Sequence, residues 1–216
     1  MIDFFPNCLR HHRGDYQGKP FVLNPWQEFV VGSLYGWYLH DEDMRRRYWK
    51  AYIETGKGSG KSPIGAGLSI YHCLLDSQAK AQAYFIAANG DQALIPMLDV
   101  VSMVQANPDL EDHFRIVGGE NKPHLLLRRG EGSRIERKTT PPNARGTSGF
   151  SVSFLLVDEY HEHLNSETYE LYAAGVKNRK NPLTLIITNA GTDISSPCGR
   201  EHEYAIDVVT LSLIHI

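Results

Sequence analysis

The sequence is poor in the features that would set it apart from ordinary globular proteins. It has only three cysteines in 216 residues, Cys8, Cys73 and Cys198, far apart and without a C-x-x-C pair. That excludes a disulfide framework or a zinc ribbon and fits a reducing compartment. No apolar run approaches the roughly 18–20 residues needed to span a bilayer. Met1 to Gly14 contains no long apolar stretch of the kind a secretory leader requires. Neither sign of charge dominates: 22 Lys+Arg stand against 25 Asp+Glu, a net charge of −3. This argues against a protein coated in positive charge but leaves room for a local basic patch. Internal repeats and low-complexity tracts are absent. The remainder, 42% hydrophobic and 22% charged, suits one large domain with a sizeable core.

Segments of two periodicities alternate along the chain. Asp3 to Asn24, rich in Gly, Pro, His and charge, reads as an extended lead-in. Pro25 opens a helix to about Leu39, in which Trp26, Phe29, Val30, Leu34 and Trp37 follow three- and four-residue steps. Strands are expected over Trp49–Glu54, Ala83–Ala88, Phe114–Val117, Leu125–Leu127, Ser133–Arg137, Ser151–Val157 and Leu183–Thr188. Helices are expected over Lys61–Asp76, from Asn89-Gly90-Asp91 to Ala106, over Thr168–Val176 and over Arg200–Val209. Pro141 to Gly149 reads as an irregular loop. Strands alternating with helices, several of them continuous apolar runs, predict an α/β domain with a mostly parallel sheet and helices on both faces.

Between the first strand and its helix lies Thr55-Gly56-Lys57-Gly58-Ser59-Gly60-Lys61-Ser62. Strand, glycine-rich turn, Lys-Ser and helix together are the context of a phosphate-binding P-loop. Glycines let main-chain N–H groups wrap an anion, and the helix aims its positive end at the same point. Lys61 would then reach the β- and γ-phosphates of ATP, and the Ser62 hydroxyl would coordinate Mg²⁺. The full pattern has Gly where Thr55 stands, so Gly56 and Gly58 must supply the flexibility. The apolar strand Phe154-Leu155-Leu156-Val157 ends in Asp158-Glu159, a Walker B arrangement. Asp158 would hold the same Mg²⁺ and Glu159 would orient or deprotonate the attacking water. Leu183 to Thr188, followed by Asn189-Ala190-Gly191, repeats the form, so Thr188 or Asn189 could sense the γ-phosphate. A purely structural Asn/Gly turn explains that segment equally well.

In this order, the motifs resemble the N-terminal ATPase half of the large subunit of tailed-bacteriophage terminases, the motor that packages DNA into capsids. The likeness runs from about Phe4 to Val209. It rests on Pro25-Trp26-Gln27, Gly58-Ser59-Gly60-Lys61-Ser62, Ala87-Ala88-Asn89-Gly90-Asp91-Gln92-Ala93, Val157-Asp158-Glu159-Tyr160-His161 and Thr188-Asn189-Ala190-Gly191. The resemblance implies a RecA-like, additional-strand P-loop NTPase fold. It also implies ATP-driven translocation of double-stranded DNA, with Gln27 reading the adenine edge. The family works as a homo-oligomeric ring at the procapsid portal in the host cytoplasm, with the portal protein and the terminase small subunit as partners. A basic residue from one subunit completes the next subunit's site there, and Arg145 is the candidate, with Lys57 as its rival. No membrane association is implied.

The same resemblance marks what is missing. Whole members carry a C-terminal nuclease domain, and nothing after Val209 supplies its carboxylates. Residues 1–209 therefore form the expected ATPase domain, and Thr210 to Ile216 looks like a foreign or truncated tail. Two rival functions remain open: a helicase-like ATPase remodelling nucleic acid, and a fragment that binds nucleotide without turning it over. From Glu120 to Arg145, seven basic residues face three acidic ones, which suits either a phosphate-backbone contact or a solvated strand pair. His161-Glu162-His163 lacks zinc-protease spacing, and His161 is expected beside the hydrolytic site. His11 and His12 read as surface residues. Trp26, Trp37 and Trp49 read as core or helix-packing residues.

Overall fold

The structure is a computed structural model and describes residues 1–75, 79–119, 121–138 and 150–210. Seven strands form one sheet: β1 (Lys50–Glu54), β2 (Gln82–Ile86), β3 (Phe114–Val117), β4 (Leu125–Arg128), β5 (Arg134–Lys138), β6 (Phe154–Asp158) and β7 (Leu183–Thr188). Their order across the sheet is β1-β7-β6-β2-β5-β4-β3. The pairs from β1 to β5 are parallel, whereas β4 runs antiparallel to both β5 and β3. The last strand in sequence thus lies between β1, which feeds the glycine-rich loop, and β6, which carries the acidic pair. This is the mostly parallel P-loop sheet expected, with the additional strand in place.

The helices are α1 (Phe4–Cys8), α2 (Pro25–Gly36), α3 (Lys61–Leu74), α4 (Gly90–Gln105), α5 (Pro108–Glu111), α6 (Glu167–Val176) and α7 (Pro197–Val209). They cover both faces because the buried strands are apolar on both. In β6, Phe154 and Leu156 join the core under α1 to α4, while Leu155 and Val157 join a second core with Tyr160, Tyr172, Val176 and Cys198. Alternation of side chains along a strand produces this division. Helix α3 packs unusually close. A Cβ added at Gly65 would meet Leu156 Cδ1 at 2.7 Å, and one at Gly67 would meet Phe5 Cε1 at 2.6 Å and Leu9 Cδ1 at 2.8 Å.

Several sequence expectations need correction. The lead-in is not merely extended: it contains α1 and buries Phe4, Phe5, Leu9, Phe21 and Leu23 against the main core. These five follow no single period, so pattern alone does not reveal them. Helix α2 stops at Gly36 rather than Leu39, because Trp37 turns to extended backbone. Trp37 and Trp49 are 61% and 58% exposed, not core residues, and Phe29 on α2 is exposed too. Asn107-Pro108 does end α4 but also starts the short α5, with the Asn107 side chain as its cap. The loop Pro141–Gly149 and residues 211–216 lie outside the described residues; Thr210 caps α7.

Candidate active site

Gly58 and Gly60 hold left-handed backbone, with φ of +80° and +84°, and Gly60 is the last residue before α3. Residues with a Cβ rarely adopt this conformation, so these two glycines shape the turn. Thr55, at the position where the usual pattern has Gly, bonds across the loop to the Ser59 hydroxyl at 2.6 Å, and its N–H donates to the Thr188 carbonyl. The departure therefore braces the loop from inside. Lys57, Gly58, Gly60, Lys61, Ser62 and Glu159 line one cavity of about 580 Å³.

Lys61 is only 5% exposed. Its ammonium donates to Asn189 Oδ1 at 2.8 Å and stands 3.7 Å from Glu159 Oε1. The Asn189 amide in turn donates to Glu159 Oε2 at 3.1 Å. One side-chain amide thus bridges the loop lysine and the candidate general base. The β-strand order explains how: the end of β7 sits between the ends of β1 and β6. Glu159 itself has φ of +45°, a strained value for a side chain of its size.

Ser62 Oγ lies 3.5 Å from Asp158 Oδ2, and the backbone N–H of Glu159 donates to Asp158 Oδ1. Burial, and then the neighbouring Glu159 charge, push the Asp158 carboxyl up to about 7. A buried carboxylate beside a hydroxyl, short of positive charge, is the oxygen-only donor set that suits a small hard cation. Residues fitting Mg²⁺ are therefore present. His163 donates from Nε2 to the Asp158 carbonyl and steadies this strand end, and burial holds its own pKa below the usual value.

Thr188 and Asn189 separate. Asn189 faces Lys61, whereas the Thr188 hydroxyl is fully buried on the other side of the sheet. It accepts the His161 N–H at 3.0 Å and donates to the Asn189 carbonyl. His161 Nδ1 lies 3.1 Å from that hydroxyl and 3.4 Å from Glu159 Oε2, so this histidine does sit beside the acidic pair. Gln27 lies behind the loop: its Oε1 accepts the Asn24 N–H in a capping box, and its Nε2 abuts Gly60. It does not line the cavity. Arg145 falls outside the described residues.

Within the described part of the basic stretch, Arg128 pairs with Glu131 and Lys138 with Glu136, while Arg129 and Arg137 donate to main-chain carbonyls. Sequence reasoning missed one group of residues at the cavity. His12, expected at the surface, has a side chain only 10% exposed and bonds Asp99 with Arg13. The available signal was an aspartate on the four-residue stripe Ile95, Asp99, Met103 of α4.

Comparison with known proteins places these observations. Residues 25–124 and 127–207 match the family described as the terminase large subunit, ATPase domain. The chain belongs to that family. Among solved structures it is similar to the large terminase of bacteriophage HK97, with a TM-score of 0.75 at 19% identity, over 96% of this chain and 40% of that one. The large terminase of a thermophilic bacteriophage, solved in complex with ADP, matches with a TM-score of 0.52 at 10% identity, over 78% of this chain and 39% of that one. Protein YmfN of Escherichia coli strain K12 is 35% identical over 69 residues, 32% of this chain and 15% of its own length. The terminase ATPase domain described here thus spans well under half of these relatives. Among its described residues, no helix is long and apolar enough to cross a membrane.

Proposed function

We propose that this chain is the ATP-hydrolysing motor domain of a phage large terminase and drives packaging of double-stranded DNA. The observation that carries the reading is convergence. Lys61, Ser62 and Glu159 line one cavity, and Asp158 and Asn189, from the ends of β6 and β7, bond to them there. Ser62 and Asp158 would hold Mg²⁺, which would screen the charge of the phosphate oxygens. Main-chain N–H groups of residues 56–61 and the Lys61 ammonium grip the phosphates of ATP, with Lys57 as a further cation. Glu159 accepts a proton from the attacking water as its oxygen bonds to the γ-phosphorus and the bond to ADP breaks. Asn189 gives up Lys61 when phosphates arrive and takes it back when they leave. Through Thr188 that exchange is passed to the far side of the sheet. Gln27 supports the loop from behind through Gly60; to read the adenine edge its amide would first have to leave the Asn24 capping box.

On this reading the working form is a homo-oligomeric ring at the portal in the host cytoplasm, with the small subunit as a further partner. Arg145 acts in trans on the neighbour's phosphates. A chain that binds nucleotide without turnover is the second reading, favoured by the Asn189 amide already occupying Glu159. ATPase rate against protein concentration, with and without duplex DNA, tests both. Glu159→Gln should lose at least about a hundredfold in turnover and still bind nucleotide. Equal turnover in parent and variant would remove Glu159 from the chemistry, and negligible turnover by the parent at every concentration would favour the second reading.

A further inference from the structure

The cavity wall facing the phosphate loop is built by the N-terminal lead-in and α4. It contains His11, His12, Arg13, Ile95, Asp99 and Met103. Asp99 is 2% exposed, on the packed side of its helix. Its Oδ1 accepts from Arg13 Nη2 at 2.5 Å and from His12 Nε2 at 2.9 Å. A buried carboxylate is tolerated where such donors satisfy it. The pairing does not bury Arg13, whose side chain remains 59% exposed in the cavity lining. Guanidinium carries five N–H donors in a rigid fork, so one carboxylate oxygen leaves most of them for another anion. Arg13 therefore shares one cavity with Lys57, Lys61, Ser62 and Glu159.

We propose that Arg13 is a phosphate-binding residue of this site, held by Asp99 and His12 so that its guanidinium contacts the terminal phosphate of a nucleoside triphosphate. The inference rests on the nucleotide reading above and deepens it. It makes the lead-in a working part of the site: a segment far from the glycine-rich loop in sequence supplies a cation within the same subunit. Arginine suits the task because its charge is permanent and its fork matches phosphate oxygens. A contact restricted to the third phosphate distinguishes ATP from ADP, whereas a strap that only fastens the lead-in to α4 does not.

The test measures equilibrium binding of a non-hydrolysable ATP analogue and of ADP, with Mg²⁺, to the full chain and to Arg13→Gln, Asp99→Asn and Lys61→Ala. Arg13→Gln should weaken the triphosphate analogue by about tenfold or more and leave ADP within about twofold. Asp99→Asn should show the same selective loss in smaller measure. Equal effects on both nucleotides, or none, while Lys61→Ala loses both, would reduce Arg13 to a strap and overturn the inference alone. Failure of the parent to bind either nucleotide, or unimpaired binding by Lys61→Ala, would sink the nucleotide reading and the inference with it. Should Asp99→Asn unfold, Arg13→Gln carries the test, since its side chain is largely exposed.

Discussion

Replacing Asn189 with alanine tests its bridge between the loop lysine and Glu159. The Asn189 amide accepts from the buried Lys61 ammonium at 2.8 Å and donates to Glu159 at 3.1 Å. Its removal leaves Lys61 with Glu159 at 3.7 Å as its remaining anion. A hydrogen bond to a charged group contributes about 1.5–3 kcal/mol when the charge stays buried. For a domain of this size each kcal/mol moves the melting temperature by about 2–4 °C. Asn189→Ala should therefore melt about 3–12 °C below the parent without nucleotide. Saturating Mg-ADP should close most of that gap, because phosphate oxygens then take the place of the amide on Lys61. Thermal melts of both chains, with and without ADP, measure the two differences. Identical melting without nucleotide, or a deficit that ADP leaves untouched, would refute the bridging role.

Three further outcomes follow from the geometry. Gly60→Ala forces a Cβ onto backbone at φ +84° and within 2.9 Å of Gln27 Nε2; nucleotide affinity should fall at least about tenfold, with about 1–2 kcal/mol lost in denaturant melts. Phe5→Ala removes a fully buried ring that packs on Phe21 and Gly67. It should cost about 3–5 kcal/mol by chemical denaturation, whereas a dispensable lead-in would lose nothing. The Asp158 carboxyl titrates at about 7 when folded and near 3.8 otherwise. The folded chain keeps a proton through that window which the unfolded chain releases, so the parent loses stability as pH rises from about 4 to 7, by up to about 1.4 kcal/mol per pH unit. In EDTA, Asp158→Asn should gain on the parent between about pH 4 and 7, and a pH-independent difference would contradict the raised value.

The motifs were legible because they are local. A strand, glycines at fixed offsets and a Lys-Ser pair specify the phosphate loop, and an apolar run ending in Asp158-Glu159 specifies its partner. Strand order was legible only through the resemblance: no local pattern says that β7 passes between β1 and β6, the insertion that brings Asn189 to Lys61. The lead-in was misread because its buried aromatics are scattered among Gly, Pro and His, with Phe4 and Phe5 separated from Phe21 by solvent-facing turns. Trp37 and Trp49 show the converse, since hydrophobicity alone does not tell which face of an element a side chain takes. His12, Arg13 and Asp99 form no motif and are brought together by tertiary packing alone.

The two glycines of α3 have a mechanical consequence. With Leu156 seated on one and Phe5 and Leu9 on the other, the helix is wedged between the sheet and the N-terminal segment. It cannot slide without driving side chains into backbone, so the helix that carries Lys61 is fixed from both sides. On the proposed function, any response to the phosphates is left to the turn at Asn189, from which the Thr188 hydroxyl reaches Cys198 at 3.7 Å, in the first turn of α7.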